Sequence, residues 1–272
     1  MKIALIQMSA RIDKHESLNI AEKYVTEAAL QNADVAILPE MFNCPYSMKN
    51  FPIYAEEDRG YSWTRMSNIA KINNIYLIAG TMPEKDSENH IYNTSYVFNR
   101  DGEQIAKHRK MHLFDINIKG GQTFKESDMF TAGNSITIFN TEFCTMGVEI
   151  CYDIKFPELT YLTEEAGAKI IFVPAIFNMT TGPLHWELLF RTRSVDNQIY
   201  MVGCSQARRF DYEYVSYANS IITSPWGDIV NKMDEKEKII VQEIDLSYVE
   251  KIREQLPLLK QKRKDIYSLS LL

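Results

Sequence analysis

Residues 146–158 read MGVEICYDIKFPE. Met146 to Ile150 is an apolar, β-favouring run, and Phe156 to Ala166 carries a helical pattern with Pro157 at its start. Cys151 stands where the strand gives way to the helix. A strand that hands its chain to a helix is the repeating unit of an α/β fold. The alternation continues downstream as strand Lys169–Val173, helix Leu184–Asn197 and strand Ile199–Cys204.

Upstream, Lys2–Met8 reads as a first strand. Asp13 with Glu16 forms a capping box for a helix whose Leu18, Ala21, Val25, Ala28 and Ala29 share one face. Val35–Leu38 is a short buried strand ending at Pro39, followed by a helix over Ser62–Ile72 and a strand over Ile75–Gly80. The middle changes character. Ile91–Phe98, the turn Asn99-Arg-Asp-Gly102 and Gln104–Lys107 read as a hairpin, and Ser135–Phe139 with Phe143–Ile150 as another strand pair. Ser216–Thr223, a turn at Pro225-Trp-Gly227 and Ile239–Ile244 read as a last antiparallel set. Hairpins mixed with β-α-β units imply two packed sheets with helices outside, in one domain, closed by a basic tail over about 251–272.

Composition narrows the class. The 272 residues are 45% hydrophobic and 24% charged, which suits a soluble globular chain with a large core. The longest nearly apolar stretch, Ile170–Phe177, is far short of the roughly 20 residues of a membrane span. MKIALIQMSA stops being apolar at Gln7 and shows no cleavage site, so it reads as a strand rather than a signal peptide. A net charge of −6 argues against nucleic acid as a partner. Cys44, Cys144, Cys151 and Cys204 are scattered without zinc-like spacing and read as reduced thiols of a cytoplasmic protein, the first, second and fourth as packing residues.

Several familiar chemistries are missing. No G-x-G-x-x-G follows the first strand, and neither G-x-x-x-x-G-K-[ST] nor G-x-S-x-G occurs. His108 and His112 are four apart but lack the H-E-x-x-H glutamate, so they read as bonded structural histidines and no metal is expected. The sequons at Asn93 and Asn178 read as chance. In Lys251–Lys264 acids and apolar residues interrupt the bases, which suits a solvated or subunit-packing tail better than a nucleic-acid patch.

Three segments put a reactive group at the end of an apolar strand: VAILPE with Glu40, AKHRKMHLFD with Lys110, and MGVEICYDIKFPE with Cys151. Taken singly, each has a structural explanation, and spacing alone does not bring them together. In this order, however, LPEMF, HRKMHLFD and GVEICYDIKFPE resemble the three signatures of the nitrilase, or carbon–nitrogen hydrolase, superfamily. The resemblance runs nearly end to end, through FVPAIFN and RTRSVDNQIY to SPWGDIV. It implies a four-layer α-β-β-α sandwich that forms a homodimer. It also implies a Glu40–Lys110–Cys151 triad, with Glu126 of TFKESDMFTAG supporting the lysine and no cofactor.

For such a triad the expected chemistry is hydrolysis of a small amide through a thioester. Cys151 attacks, Glu40 carries the proton, and Lys110 with the Tyr152 N–H holds the oxyanion. With ordinary pKa values, passing a thiol proton to a carboxylate is uphill by roughly 6 kcal/mol. Burial of Glu40 is expected to narrow that gap from one side, and Lys110 and a helix dipole acting on Cys151 from the other.

FNCPYSMKNFPIYAE and FNMTTGPLHWELL resemble the ω-amidases, which act on 2-oxoglutaramate and 2-oxosuccinamate. That likeness implies a carboxylate-binding set of Tyr46, Lys155 and Thr181, with Phe177 as an apolar wall. Lys155 departs from the usual Arg there and lacks its bidentate fork. The alternatives are an amidase for deaminated glutathione or an N-carbamoyl compound, a nitrile hydrolase, and a non-catalytic scaffold.

Overall fold

The computed structural model describes residues 1–119 and 123–272. Lys2–Gln7 is a strand whose alternate side chains serve two cores, Ile3 and Leu5 on one face and Ala4 and Ile6 on the other. It lies inside a sheet ordered Lys238–Glu243, Lys2–Gln7, Val35–Ile37, Tyr76–Ile78, Ile91–Phe98, Met82–Lys85 and Glu56–Glu57, with Gln104–Arg109 also paired to Ile91–Phe98. A second sheet runs Ile138–Asn140, Thr145–Val148, Ile170–Ala175, Tyr200–Ser205, Ile221–Thr223 and Ile229–Lys232.

The buried clusters define the layers. Ile3, Leu5, Val35 and Ile37 of the first sheet meet Met146, Val148, Ile170, Phe172 and Val202 of the second, so the sheets pack face to face. Ala4 and Ile6 face outward onto Leu18, Ala21 and Val25 of helix Lys14–Leu30 and Met66 and Ile69 of helix Tyr61–Asn73. On the opposite side, Ile171, Val173 and Met201 face Trp186 and Phe190 of helix Gly182–Asn197, beside which helix Pro157–Glu165 packs. The result is the expected α-β-β-α sandwich in one domain.

Two expectations change, and one strand is new. The strand Lys238–Glu243 does not join Ile221–Thr223 but pairs antiparallel with Lys2–Gln7 in the other sheet. Ile240 then faces the inter-sheet core while Ile239 and Val241 face the helices. The antiparallel partner of Ile221–Thr223 is Ile229–Lys232. The tail starts later than its composition suggests, because Ser247–Gln255 is a helix that buries Val249 and Ile252. Finally, Met82–Lys85 is a strand despite Pro83 and two charged residues. Its Glu84 is buried under Lys107 and Arg109, which satisfy the charge.

Val35–Ile37 and Thr145–Val148 each lie in a parallel ladder, in opposite sheets. Their C-terminal ends open on the same edge, the usual place for a site in such sheets.

Candidate active site

Glu40 follows the strand Val35–Ile37 and is fully buried. Its loop is held from two sides. Gly80 passes close under Pro39, where a Cβ would come within 2.2 Å of the Pro39 carbonyl, and Gln206 donates from Nε2 to the Glu40 and Met41 carbonyls at 2.9 Å each. Glu40 Oε1 accepts from Asn93 Nδ2 at 2.7 Å and from Lys110 Nζ at 2.9 Å. Among the described residues nothing bonds Oε2.

Lys110 follows the strand Gln104–Arg109 and is also fully buried. Its carbonyl accepts from Gly133 N–H, whose own close approach to Arg109 leaves no room for a Cβ. Its ammonium is shared with Glu126, 3.0 Å from Oε1 and 2.9 Å from Oε2. Glu126 is oriented in turn by the Tyr46 hydroxyl at 2.5 Å and the Phe114 N–H at 2.7 Å. One buried cation thus lies between two buried carboxylates, each held by further donors, which is the condition for keeping such charges inside a protein.

Cys151 begins a short 3-10 turn, Cys151–Lys155, with φ of 46°. A left-handed backbone costs a non-glycine residue on the order of 1–3 kcal/mol. The turn that carries this strain is tied from behind by Asp153. Its Oδ2 accepts from Ile150 N–H at 3.0 Å and lies 3.1 Å from His108 Nε2. Its Oδ1 accepts from His112 N–H at 2.9 Å and lies 2.8 Å from the ring Nδ1. His108 and His112 flank Lys110, so Asp153 joins the cysteine turn to the lysine segment. Both histidines are therefore bonded structurally. Although burial works against its charge, their bonds hold Asp153 well below the usual carboxylate range.

The titration pattern corrects one expectation. Burial pushes the Glu40 carboxyl up, against the pull of Lys110, as anticipated. Burial also opposes the Lys110 charge, but Glu126 and Glu40 outweigh it and hold the ammonium well above its ordinary value. The Cys151 thiol, however, is pushed well up, by burial first and by the Glu40 charge second, with Lys110 opposing only in part. Nor does Cys151 open a long helix, since only the 3-10 turn follows it before Pro157. Burial and the Glu40 charge thus favour the neutral Cys151 thiol over its thiolate.

A small cleft opens above Cys151. Four of the anticipated residues line it: Tyr152, Lys155, Phe177 and Thr181, joined by Phe114, Ile176 and Tyr214. Lys155 lies over the Phe177 ring, 5.5 Å from its centroid. Thr181 Oγ1 donates to Asn178 at 2.9 Å. Tyr46 does not line this cleft; its hydroxyl is committed to Glu126, behind the lysine.

A sequence model described as carbon-nitrogen hydrolase matches residues 2–254. The chain belongs to the carbon–nitrogen hydrolase family. It is 46% identical to the omega-amidase NIT2 of Xenopus tropicalis, over 98% of this chain and 96% of that one. It is 43% identical to the Homo sapiens omega-amidase NIT2, over 99% and 98%. Among solved structures it resembles Saccharomyces cerevisiae Nit3, a member of branch 10 of the nitrilase superfamily, at 39% identity. The TM-score is 0.89, with 97% and 96% of the two chains covered. This carbon–nitrogen hydrolase is accordingly an amide-hydrolysing enzyme of the nitrilase superfamily.

Some residues around its site were not foreseen. Asn93, set aside as a chance sequon, is buried and bonds Glu40. Gln206 and Tyr214 lie in stretches without strong periodicity. Asp153 was visible in the CYD triplet, but its partners lie some forty residues upstream.

Proposed function

We propose that this hydrolase is a cysteine-dependent ω-amidase that cleaves the terminal amide of 2-oxoglutaramate and 2-oxosuccinamate. The observation that supports the chemistry best is the buried Lys110 ammonium shared by Glu40 and Glu126 beside the strained Cys151. With the thiol neutral at rest, Cys151 Sγ attacks the amide carbon as Glu40 removes its proton, so no free thiolate accumulates. The oxyanion is met by Lys110 and the Tyr152 N–H, an orphan donor of the first turn. Glu40 then returns the proton to the amide nitrogen. Ammonia leaves, and the acyl group remains on sulfur as a thioester. Glu40 takes a proton from water, hydroxide adds to the thioester, and collapse releases the acid and the thiol.

Substrate choice rests on the cleft and on full-length likeness to curated ω-amidases. Lys155 supplies the positive charge for the distant carboxylate, Thr181 a hydroxyl and Phe177 an apolar wall. Tyr46 is reassigned from substrate contact to support of Glu126 and Lys110.

The test is ammonia release from 2-oxoglutaramate, deaminated glutathione and N-carbamoyl-β-alanine by wild type and Cys151→Ala. A preference for 2-oxoglutaramate that vanishes in the variant is the expected result. Cysteine-dependent turnover of another amide would keep the mechanism and discard the substrate, and no turnover at all would leave a scaffold.

A homodimer and a cytoplasmic location complete the proposal. Leu184, Leu188 and Val195 of one helix, with Trp226, form an exposed apolar face suited to a second copy. The exposed C-terminal residues Ile266, Tyr267 and Leu269 are a second candidate for subunit packing. A reducing compartment suits a nucleophile that must stay a free thiol, and all four cysteines are free. No described helix is long and apolar enough to cross a membrane.

A further inference from the structure

Lys155 reaches the cleft from the 3-10 turn, and its ammonium lies 3.0 Å from His185 Nδ1. An ammonium has donors only, so His185 Nδ1 must accept, which places the ring proton of the neutral imidazole on Nε2. The histidine is held in turn. His185 N–H donates to the Thr181 carbonyl at 2.8 Å, which sets His185 one helical turn beyond a cleft residue on the same face. The same ammonium lies over the Phe177 ring, 5.5 Å from its centroid, and the face of such a ring attracts cations. Lysine is otherwise a flexible point charge on a four-carbon stem, poorly suited to aiming at a planar carboxylate.

From this geometry we infer that His185 is a specificity-determining positioning residue. It pins the Lys155 ammonium over Phe177 so that its remaining N–H groups point at an anionic substrate terminus. The inference rests on the proposed carboxylate-reading role of Lys155 and adds to it the group that aims the charge. His185 touches neither Cys151 nor the scissile bond, so its effect falls on recognition rather than on chemistry. Burial and the adjacent Lys155 charge both lower the His185 pKa, consistent with a neutral acceptor.

The experiment compares 2-oxoglutaramate with pentanamide, a five-carbon amide without a carboxylate, on wild type, His185→Ala and His185→Asn. Asn carries an acceptor near the place of Nδ1, and Ala carries none. For His185→Ala the KM for 2-oxoglutaramate should rise about tenfold with kcat within about twofold, while kcat/KM for pentanamide stays put. His185→Asn should recover most of the loss. Parallel losses on both substrates, or no loss on either, would overturn the inference.

A second readout needs no turnover. Calorimetric binding of 2-oxoglutarate to Cys151→Ala should weaken about tenfold when His185→Ala is added and recover with His185→Asn. Unchanged binding would also overturn it. The wild type reports separately on the underlying reading, which fails if it does not prefer the carboxylate-bearing amide over pentanamide.

Discussion

The Tyr46 hydroxyl lies 2.5 Å from Glu126 Oε1, with both side chains buried. Tyr46 thus steadies the carboxylate that steadies Lys110, two steps from the sulfur. Tyr46→Phe should therefore lower kcat about tenfold and leave KM within about twofold, because the lost bond acts on oxyanion stabilisation. A raised KM with unchanged kcat would instead return Tyr46 to the substrate. Steady-state kinetics on 2-oxoglutaramate decides between them.

Glu40→Gln should abolish turnover while leaving the melting temperature equal or higher. The neutral amide keeps an acceptor for Asn93 and Lys110 but cannot take the Cys151 proton. It also removes one of the two buried carboxylates that share the single Lys110 ammonium, leaving Glu126 to pair with it. Thermal unfolding beside an ammonia assay checks both halves. Retained activity would remove Glu40 from the proton path.

Asp153→Asn should cost roughly 10- to 100-fold in kcat, with a loss of stability of about 1–3 kcal/mol. An amide cannot accept on both sides, so it loosens either the Ile150 N–H and His108 or the His112 segment. The cysteine turn and the lysine segment then lose register. Kinetics together with urea unfolding measures the two effects, and wild-type kcat in a folded variant would show that the clamp is only structural.

Glu149, two residues before Cys151, is fully buried, and burial together with the nearby Asp153 charge pushes its carboxyl up to about 8. It accepts from Thr160 through one oxygen, while among the described residues nothing bonds the other. Because the folded protein holds this proton more tightly than the unfolded chain, the contribution is full below the unfolded value of about 4.3. It is then lost progressively as pH rises to about 8. Glu149→Gln should remove that loss, making the variant more stable than wild type at pH 8 by a few kcal/mol at most, with little difference at pH 4. Melting curves at the two pH values give the comparison, and parallel curves would refute the assignment.

Leu188→Glu should convert the proposed dimer to a monomer, since it places a charge in the centre of the exposed Leu184, Leu188 and Val195 face. Sedimentation or light scattering on both forms tests it. An unchanged mass would move the interface elsewhere.

Much of the architecture was legible in local patterning. Unbroken apolar runs such as residues 3–6 of Lys2–Gln7 and Ile170–Ala175 required strands with both faces covered. The capping Asp13 and the face carrying Leu18, Ala21 and Val25 marked the first long helix. Glu40, Lys110 and Cys151 were each visible as a reactive group at a strand end, because that placement follows from short-range order.

What chain order could not settle was decided by distant packing. Whether Lys238–Glu243 would close the first sheet or the second depended on which edge its apolar faces could cover. The hydrogen-bond partners of Tyr46, Asp153 and His185 lie 80, about 40 and 30 residues away. The protonation of Cys151 depended on how completely the assembled layers exclude water from it. Local sequence sets which groups are available and which backbone shape each prefers. Burial and the distance between charges arise only when separated segments meet, and those two quantities govern what the groups can do.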